Sequence, residues 1–568
     1  MKLTIVEKLV DSLADLDIDT YFLVTGGAIA PFVDAVGRST RAKYYCFHHE
    51  QAASMAAEGY YRACGKIGVV MTTSGPGAQN IINGLCGCWF DSIPVLFITG
   101  QVNSKESLDS IKSKPRQIGF QEMPVVSMVS SCTKFSTKIE STQTVFDQFS
   151  KVLSAMVSDR PGPGLIDFPV NLQMESSPEA SLIISKVIPP PVIVSDSVHE
   201  LIRAAERPLL VLGAGARPIN PEWLTVPFVT TWAAFDIVLH DHPMRVGCHG
   251  VYGDRVANYA VQNADLLIIL GSRLDARQVG GNNSLFSRES KRIMVDIDPE
   301  EIEKCNERGL RIDIGLVGPV SSFVERVSLD ARPIWLNTLA TWKNEFGTEI
   351  TREGNVYKYI ESIQLPDECI VIPDQGGNLI WTMQSLKLKG KQRLFTNLGN
   401  SSMGWAIAAS IGAAIATDKK VPIVCIEGDG GIQMNIQELA TIKALNLPIT
   451  IIVLNNTGYG IMKQFQDSYF SSRYTATSAS DVFGDAAGLD FVKIAEAYGI
   501  EAKRTDVTPI SSDKPILFDV PIISTQKIFP KLEFGNSLEN MTPFRNELHK
   551  FMIIPPVQPN IPMGWRKD

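Results

Sequence analysis

Two short stretches of this 568-residue chain carry residue types that suit a hard cation and an anion. The apolar run Val421–Glu427 ends on Gly428-Asp429-Gly430-Gly431, and the run Ile449–Leu454 ends on Asn455-Asn456-Thr457-Gly458. The intervening Asn435–Leu445 reads as a helix, so the unit is βαβ with parallel strands. Ligands of open α/β sheets bind beyond the carboxyl ends of strands, where both polar tips fall. A carboxylate, an amide and a main-chain carbonyl suit Mg²⁺, which keeps its other positions for water or phosphate. Gly428, Gly430 and Gly431 allow backbone to approach an anionic group. Either tip alone is ordinary turn chemistry; the pair is far more specific. No GxxxxGK[ST] loop occurs in the chain to compete for a nucleotide phosphate.

A second group lies near the N-terminus. In FHHEQAASMAAEGYYRACGK, Glu50 opens a helical pattern, and TSGPGAQN follows with Gly75 and Gly77 before the next helix. A lone Glu in that position is ordinarily a favourable charge at a helix N-terminus. Its neighbours decide whether it is more.

The elements that must position these groups are Val/Ile-rich runs of about six to nine residues alternating with helical patterns, the signature of parallel strands covered on both faces. IGVVMTT, PVLFITG, LLVLGAG, DLLIILG, RIMVDID, PIVCIEG and ITIIVLNN are examples. The rhythm breaks at Pro189-Pro190-Pro191 and again between Leu329 and Gly354. The expected architecture is α/β, with three doubly wound parallel-sheet domains at 1–185, 186–340 and 341–535. Residues 536–568 are Pro-rich and read as an irregular tail on the surface. No internal sequence repeat is evident. A net charge of −8, with no basic cluster among aromatics, argues against nucleic acid. The apolar runs are too short to span a membrane. Nine scattered cysteines without a CxxC pair, and an acidic amphipathic N-terminus unlike a signal peptide, point to a cytoplasmic protein with reduced thiols.

Twenty-four residues separate Gly430 from Asn455, and GDG followed after about 24–27 residues by NN resembles the signature of thiamine-diphosphate-dependent enzymes. The likeness runs over about residues 3–535 and is strongest to the acetolactate synthase group. It implies thiamine diphosphate and Mg²⁺ as cofactors, with Asp429, Asn456 and the Gly458 carbonyl as metal ligands. Glu50 matches the glutamate that hydrogen-bonds the aminopyrimidine ring and promotes loss of the C2 proton. Gly75 then shapes a turn near the ring. By the same carry-over, Gly27 in LVTGGAIAPF lies by the reacting carbon, Phe120 and Gln121 in GFQEMPVV line the substrate pocket, and Met403 in NSSMGW props the bent cofactor. The family builds its site between two subunits, so the resemblance implies at least a dimer.

Segments of the middle domain resemble the flavin-binding domain of the same group. They imply non-redox FAD held by Arg160, Gly213, Gly215, Thr231, His249, Gly271, Arg273, Asp275, Arg277 and Asp296. Departures cluster where the family binds its acceptor: RFDDR reads RLDAR, with Ala276; a lysine becomes Val170; the tryptophan after the NN motif becomes Phe465; and a Gln-His pair is missing from DQGGNLIWT. The expected activity is decarboxylation of pyruvate and transfer of the two-carbon unit to a carbonyl acceptor. That acceptor is a second 2-keto acid, giving acetolactate, or a bulkier aldehyde or ketone such as a nucleotide-linked keto-sugar. The alternatives are a decarboxylase or C–C hydrolase without ligation, and a non-catalytic homologue.

Overall fold

The computed structural model describes residues 3–113, 115–346 and 354–560. Strands that are apolar on both faces must be covered on both faces, and the Val/Ile runs accordingly form three parallel six-stranded sheets flanked by helices. The first contains β1 (Thr20–Leu23), β2 (Lys43–Cys46), β3 (Val69–Thr72), β4 (Leu96–Gln101), β5 (Phe135–Lys138) and β6 (Gly164–Pro169), in the order β2-β1-β3-β4-β6-β5. The second contains β7 (Pro208–Leu212), β8 (Phe228–Thr230), β9 (Arg245–Cys248), β10 (Leu266–Leu270), β11 (Lys291–Asp296) and β12 (Ile314–Val317), in the order β9-β8-β7-β10-β11-β12. The third contains β13 (Ile370–Pro373), β14 (Arg393–Leu394), β15 (Ile423–Gly428), β16 (Ile449–Asn455), β17 (Glu501–Arg504) and β18 (Ile516–Pro521), in the order β14-β13-β15-β16-β18-β17.

Counted within each sheet, the first and third share the order 2-1-3-4-6-5, a repeat of topology that the sequence does not display. The helix between second and third strands is Glu50–Cys64 in one and Trp405–Ala416 in the other, and these two helices pack face to face. A Cβ at Gly59 would overlap the Ala409 carbonyl, and a Cβ at Gly412 would overlap the Ala56 carbonyl. The Ala-x-x-Gly pairs Ala56/Gly59 and Ala409/Gly412 therefore meet reciprocally, as in an isologous interface. One hydrophobic core runs through both units around Met55, Ala56, Trp405, Ala409 and Ile411. At its edge the fully buried Glu58 accepts hydrogen bonds from Trp405 Nε1 (2.7 Å) and Arg62, and Arg62 also pairs with Asp91 at 2.6 Å.

The C-terminal segment differs from its expected reading. Leu532, Leu538 and Leu548 join the core of the second sheet, and Glu533, Ser537, Glu539 and Asn540 are buried as well. β19 (Lys531–Leu532) and β20 (Met541–Thr542) pair antiparallel, and Arg255 donates to the Met541 and Pro543 carbonyls. The segment is packed onto the molecule rather than laid over its surface; residues 561–568 of the expected tail lie outside the described residues. Among the described residues no helix is long and apolar enough to cross a membrane.

Candidate active site

β15 and β16 are adjacent, with Gly428 opposite Leu454, so their carboxyl ends deliver the two polar tips to one place. The expected helix between them is shorter, Leu439–Ala444, preceded by 3₁₀ turns. Asp429 is buried; its Oδ1 accepts the Gly430 N–H at 2.8 Å and its Oδ2 the Gly458 N–H at 2.9 Å. Burial pushes the Asp429 carboxyl up to about 6, against the pull of those N–H bonds. Asn455 and Asn456 part company here. Asn455 donates to Asp519 Oδ1 at 3.0 Å on β18, a structural tie, while the Asn456 amide folds over Gly460, where a Cβ would overlap it. Asn456 is thus the asparagine left for a ligand. Gly430 leaves room for the Tyr459 ring and Gly431 for the Asp374 carboxylate, so both have packing reasons to be glycine; a Cβ at Gly428 would meet Asn378 only at 3.4 Å. One carboxylate, one amide and a carbonyl make an Mg²⁺-type donor set beside a diphosphate, and the residues fit it.

Glu50 is half-buried and opens its helix as expected. Its Oε2 accepts the Asn80 amide at 2.9 Å, and Gly77 leaves room for Oε1, which a Cβ would approach to 3.3 Å. Gly75 has φ +60°, and a Cβ there would lie 2.8 Å from Gln121 Cβ, so the turn brings Gln121 close to the Glu50 turn. Gly75, Phe120 and Gln121 line one cavity of about 300 Å³ with Gln79, Gln117 and Met123. Phe120 is 86% exposed at its mouth, and Gly27 begins a 3₁₀ turn after β1 with open space at its Cα. Glu122, which the sequence reading passed over, fixes this loop. It accepts the backbone N–H groups of Leu108 (2.6 Å), Ile118 (3.2 Å) and Gly119 (3.3 Å). A glutamate beside Phe-Gln gave no local signal for bonds reaching fourteen residues back.

Met403 is placed by another missed residue. Asp374 accepts the Gly404 N–H at 2.8 Å and the Ala406 N–H at 3.2 Å, holding the turn that carries Met403 into the Trp405–Ala416 helix. Glu427 lies against the same helix start and accepts the Ile407 N–H at 2.9 Å. Burial raises both carboxyls, Glu427 well above its usual range with the Asp374 charge adding to the rise, while a hydrogen bond with Glu427 pulls Asp374 back down, so the proton resides on Glu427.

The flavin candidates sit on the second sheet, whose order 3-2-1-4-5-6 has its switch point between β7 and β10, where dinucleotides bind. Gly213, Gly215 and Gly271 meet there backbone to backbone. At the ends of β8 and β9, Thr231 Oγ1 and both ring nitrogens of His249 are buried without a hydrogen-bond partner among the described residues, and burial lowers the His249 imidazole to about 4. Buried polar atoms left over on the β8–β9 side of the switch point fit a bound polar group. Asp296, raised to about 6 by burial, ends β11; Asp275 caps the Ala276–Val279 helix, and Arg277 is exposed. Arg160 pairs with Asp298 and Glu301, and Arg273 donates to the Phe90 carbonyl, so these two bridge the first and second units. Ala276, Val170 and Phe465 stand on helices of three different units.

A sheet with Rossmann order between two sheets of equal topology, one ending in the Asp429/Asn456 loops, defines a cofactor-binding α/β enzyme. Residues 3–128 match the thiamine pyrophosphate enzyme N-terminal TPP binding domain, 195–327 the central domain and 374–514 the C-terminal TPP binding domain. The chain is 32% identical to the acetolactate synthase isozyme 2 large subunit of Escherichia coli, over 94% of this chain and 98% of that one. It is 30% identical to the chloroplastic acetolactate synthase 1 of Oryza sativa (94% and 87%) and to a probable acetolactate synthase large subunit of Methanocaldococcus jannaschii (95% and 95%). The chain belongs to the thiamine pyrophosphate enzyme family.

Proposed function

We propose that this chain is a thiamine-diphosphate-dependent carboligase of the acetolactate synthase type, which decarboxylates pyruvate and passes the two-carbon unit to a carbonyl acceptor. The observation that carries the reading is the end-to-end likeness to acetolactate synthase large subunits, with Glu50 and the Asp429/Asn456 pair both set at strand ends. When bound, thiamine diphosphate supplies the acidic carbon that takes up the keto acid. Asp429, Asn456 and the Gly458 carbonyl would hold Mg²⁺ beside the diphosphate, and Gly428, where a Cβ would make only ordinary contact with Asn378, would let backbone approach the anion. Met403, set by Asp374, supports the cofactor's bend, and Glu50 accepts and returns a proton at the aminopyrimidine ring. Gln121, Phe120 and Gly27 border the space left for donor and acceptor. The acceptor is a second 2-keto acid or a bulkier aldehyde or ketone; Val170, Ala276 and Phe465 favour the roomier choice.

FAD as a non-redox occupant of the second sheet is supported by the switch-point glycines and by unpartnered Thr231 and His249. A homodimer or larger homo-oligomer is what the likeness to acetolactate synthases implies for this chain. Domain boundaries near 185 and 340, and a cytoplasmic setting for nine unbridged cysteines, complete the reading. Incubation with pyruvate, Mg²⁺ and thiamine diphosphate across a panel of acceptors, with products identified by mass, tests it. Products joined by a new carbon–carbon bond support it, and acetaldehyde alone contradicts it.

A further inference from the structure

Two segments border the space proposed for donor and acceptor: the 3₁₀ turn Gly27–Ile29 after β1, and the loop from Phe120 to Met123. In each, one main-chain carbonyl is tied to the first sheet by the amide of a buried glutamine that no role above uses. Gln101, the last residue of β4, donates from Nε2 to the Met123 carbonyl at 2.8 Å and to Asp167 Oδ2 on β6 at 2.9 Å. Gln173, in the short helix that continues from β6, donates from Nε2 to the Ala28 carbonyl at 2.8 Å and to the Phe168 carbonyl at 2.9 Å. Each side chain therefore has one N–H on β6 and the other on a segment that borders the site.

The anchors are neighbours. β4 pairs with β6, Thr99 opposite Asp167 and Gly100 opposite Phe168. Thr99 Oγ1 donates to the other Asp167 oxygen at 2.9 Å, and Gln101 Oε1 accepts the Val102 N–H at 2.9 Å, so the Gln101 amide has one orientation that satisfies it. Gly100 lets the Ala28 carbonyl rest against the strand; a Cβ there would lie 2.4 Å from that oxygen. The Gly27 turn and the Phe120 loop are thus referred to consecutive residues of one strand, Gly100 and Gln101. Both segments need holding. Gln121 has φ +64°, a left-handed backbone that a residue with a side chain keeps only where its surroundings impose it. On the other side, Gly27 has open space at its Cα and contributes no side chain that could anchor the turn.

We infer that Gln101 and Gln173 are positioning residues that set the separation of the Gly27 turn from the Phe120–Gln121 loop, and with it the size of carbonyl acceptor that the site takes. Neither amide reaches the open space; both are buried and act through the Met123 and Ala28 carbonyls. The consequence for selectivity rests on the carboligase reading, whereas the positioning rests on the bonds alone. Because both glutamines refer their segments to the same pair of strands, loss of either bond frees one wall of the site to move against the other. A wall that moves fits a small acceptor less well and resists a large one less.

The test uses the full chain with thiamine diphosphate, Mg²⁺ and FAD. Gln101→Met and Gln173→Met remove the donors at nearly constant volume. Gln101→Asn and Gln173→Asn keep a polar amide but are one methylene too short to span both acceptors, and they replace a methionine variant that does not fold. Amide hydrogen exchange read by mass spectrometry should quicken by about threefold to tenfold, the effect of losing one hydrogen bond, around Phe120–Met123 in the Gln101 variants and around Gly27–Ile29 in the Gln173 variants. The Asp429 and Asn456 loops should exchange as in the parent. The ratio of kcat/KM for 2-ketobutyrate over benzaldehyde as acceptor should fall by about threefold to tenfold, through the acceptor KM rather than kcat. Unaltered exchange in both segments, exchange that quickens equally in the Asp429 and Asn456 loops, or an unchanged acceptor ratio in folded variants overturns the proposal. A parent protein that extends neither acceptor contradicts the carboligase reading and the selectivity with it, and the exchange measurement still decides the positioning.

Discussion

The Gly458 N–H donates to Asp429 Oδ2 at 2.9 Å, joining the loop after β15 to the loop after β16. The carboxylate proposed to ligate Mg²⁺ thus also holds the backbone whose carbonyl is proposed as the third ligand.

Asp429→Ala removes both functions. Cofactor affinity falls steeply while the three sheets survive, because the change lies at a strand end and not in a core. A thermal-shift titration with thiamine diphosphate and Mg²⁺ checks this: the ligand-dependent rise in melting temperature should vanish.

The same residue sets a pH dependence. Burial raises the metal-free Asp429 carboxyl from its ordinary 3.8 to about 6, so below about pH 6 Mg²⁺ must displace a proton. Apparent Mg²⁺ affinity should fall by about tenfold per pH unit there and level off above pH 7. Mg²⁺ titrations between pH 5 and 8 measure the slope, and a flat profile would remove Asp429 from the ligand set.

Glu50→Gln keeps the shape of the side chain and its neighbour Asn80, but it can no longer take a proton. Exchange of the thiamine C2 proton should slow by about 10²–10⁴ with cofactor binding nearly unchanged. Quenched-flow hydrogen–deuterium exchange read by NMR makes the comparison.

Glu122 acts through its loop. Glu122→Ala leaves the Leu108, Ile118 and Gly119 N–H groups without their acceptor and lets Phe120 and Gln121 drift, which costs about 1–2 kcal/mol in kcat/KM at this partly exposed site. Glu122→Gln should recover part of the loss, since its carbonyl oxygen still accepts. Equal losses in the two variants would mean that the charge, not the loop, matters.

The reciprocal Gly59 and Gly412 contacts predict that Gly59→Ala and Gly412→Ala each destabilise by at least about 1–3 kcal/mol through overpacking. The double variant should lose less than the sum, because both substitutions force the same two helices apart. Urea unfolding curves of the four proteins close the cycle.

The GDG and NN tips were legible in the sequence because chain spacing alone puts them at the ends of consecutive parallel strands. Whether those strands are neighbours was open until β15 was seen to pair with β16. Asp374 and Glu427 were invisible for the opposite reason: their partners, the N–H groups at the start of the Trp405–Ala416 helix, lie some thirty and twenty residues away. The repeated topology was hidden because strand order is set by crossovers, which leave no trace in residue types. The burial of the tail is not legible in its sequence because proline excludes helix but not burial, and Leu538 and Leu548 stand without periodicity.

The most direct test of the carboligase reading is a competition between acceptors. Protein, thiamine diphosphate, Mg²⁺ and ¹³C-pyruvate are incubated with 2-ketobutyrate and with a bulky aldehyde, and the label is followed by NMR and mass spectrometry. The account predicts two-carbon label transferred into a new carbon–carbon bond, abolished by Asp429→Ala and strongly slowed by Glu50→Gln, with the bulky carbonyl competing against the keto acid. Labelled acetaldehyde as the sole product, with neither acceptor extended, would contradict it.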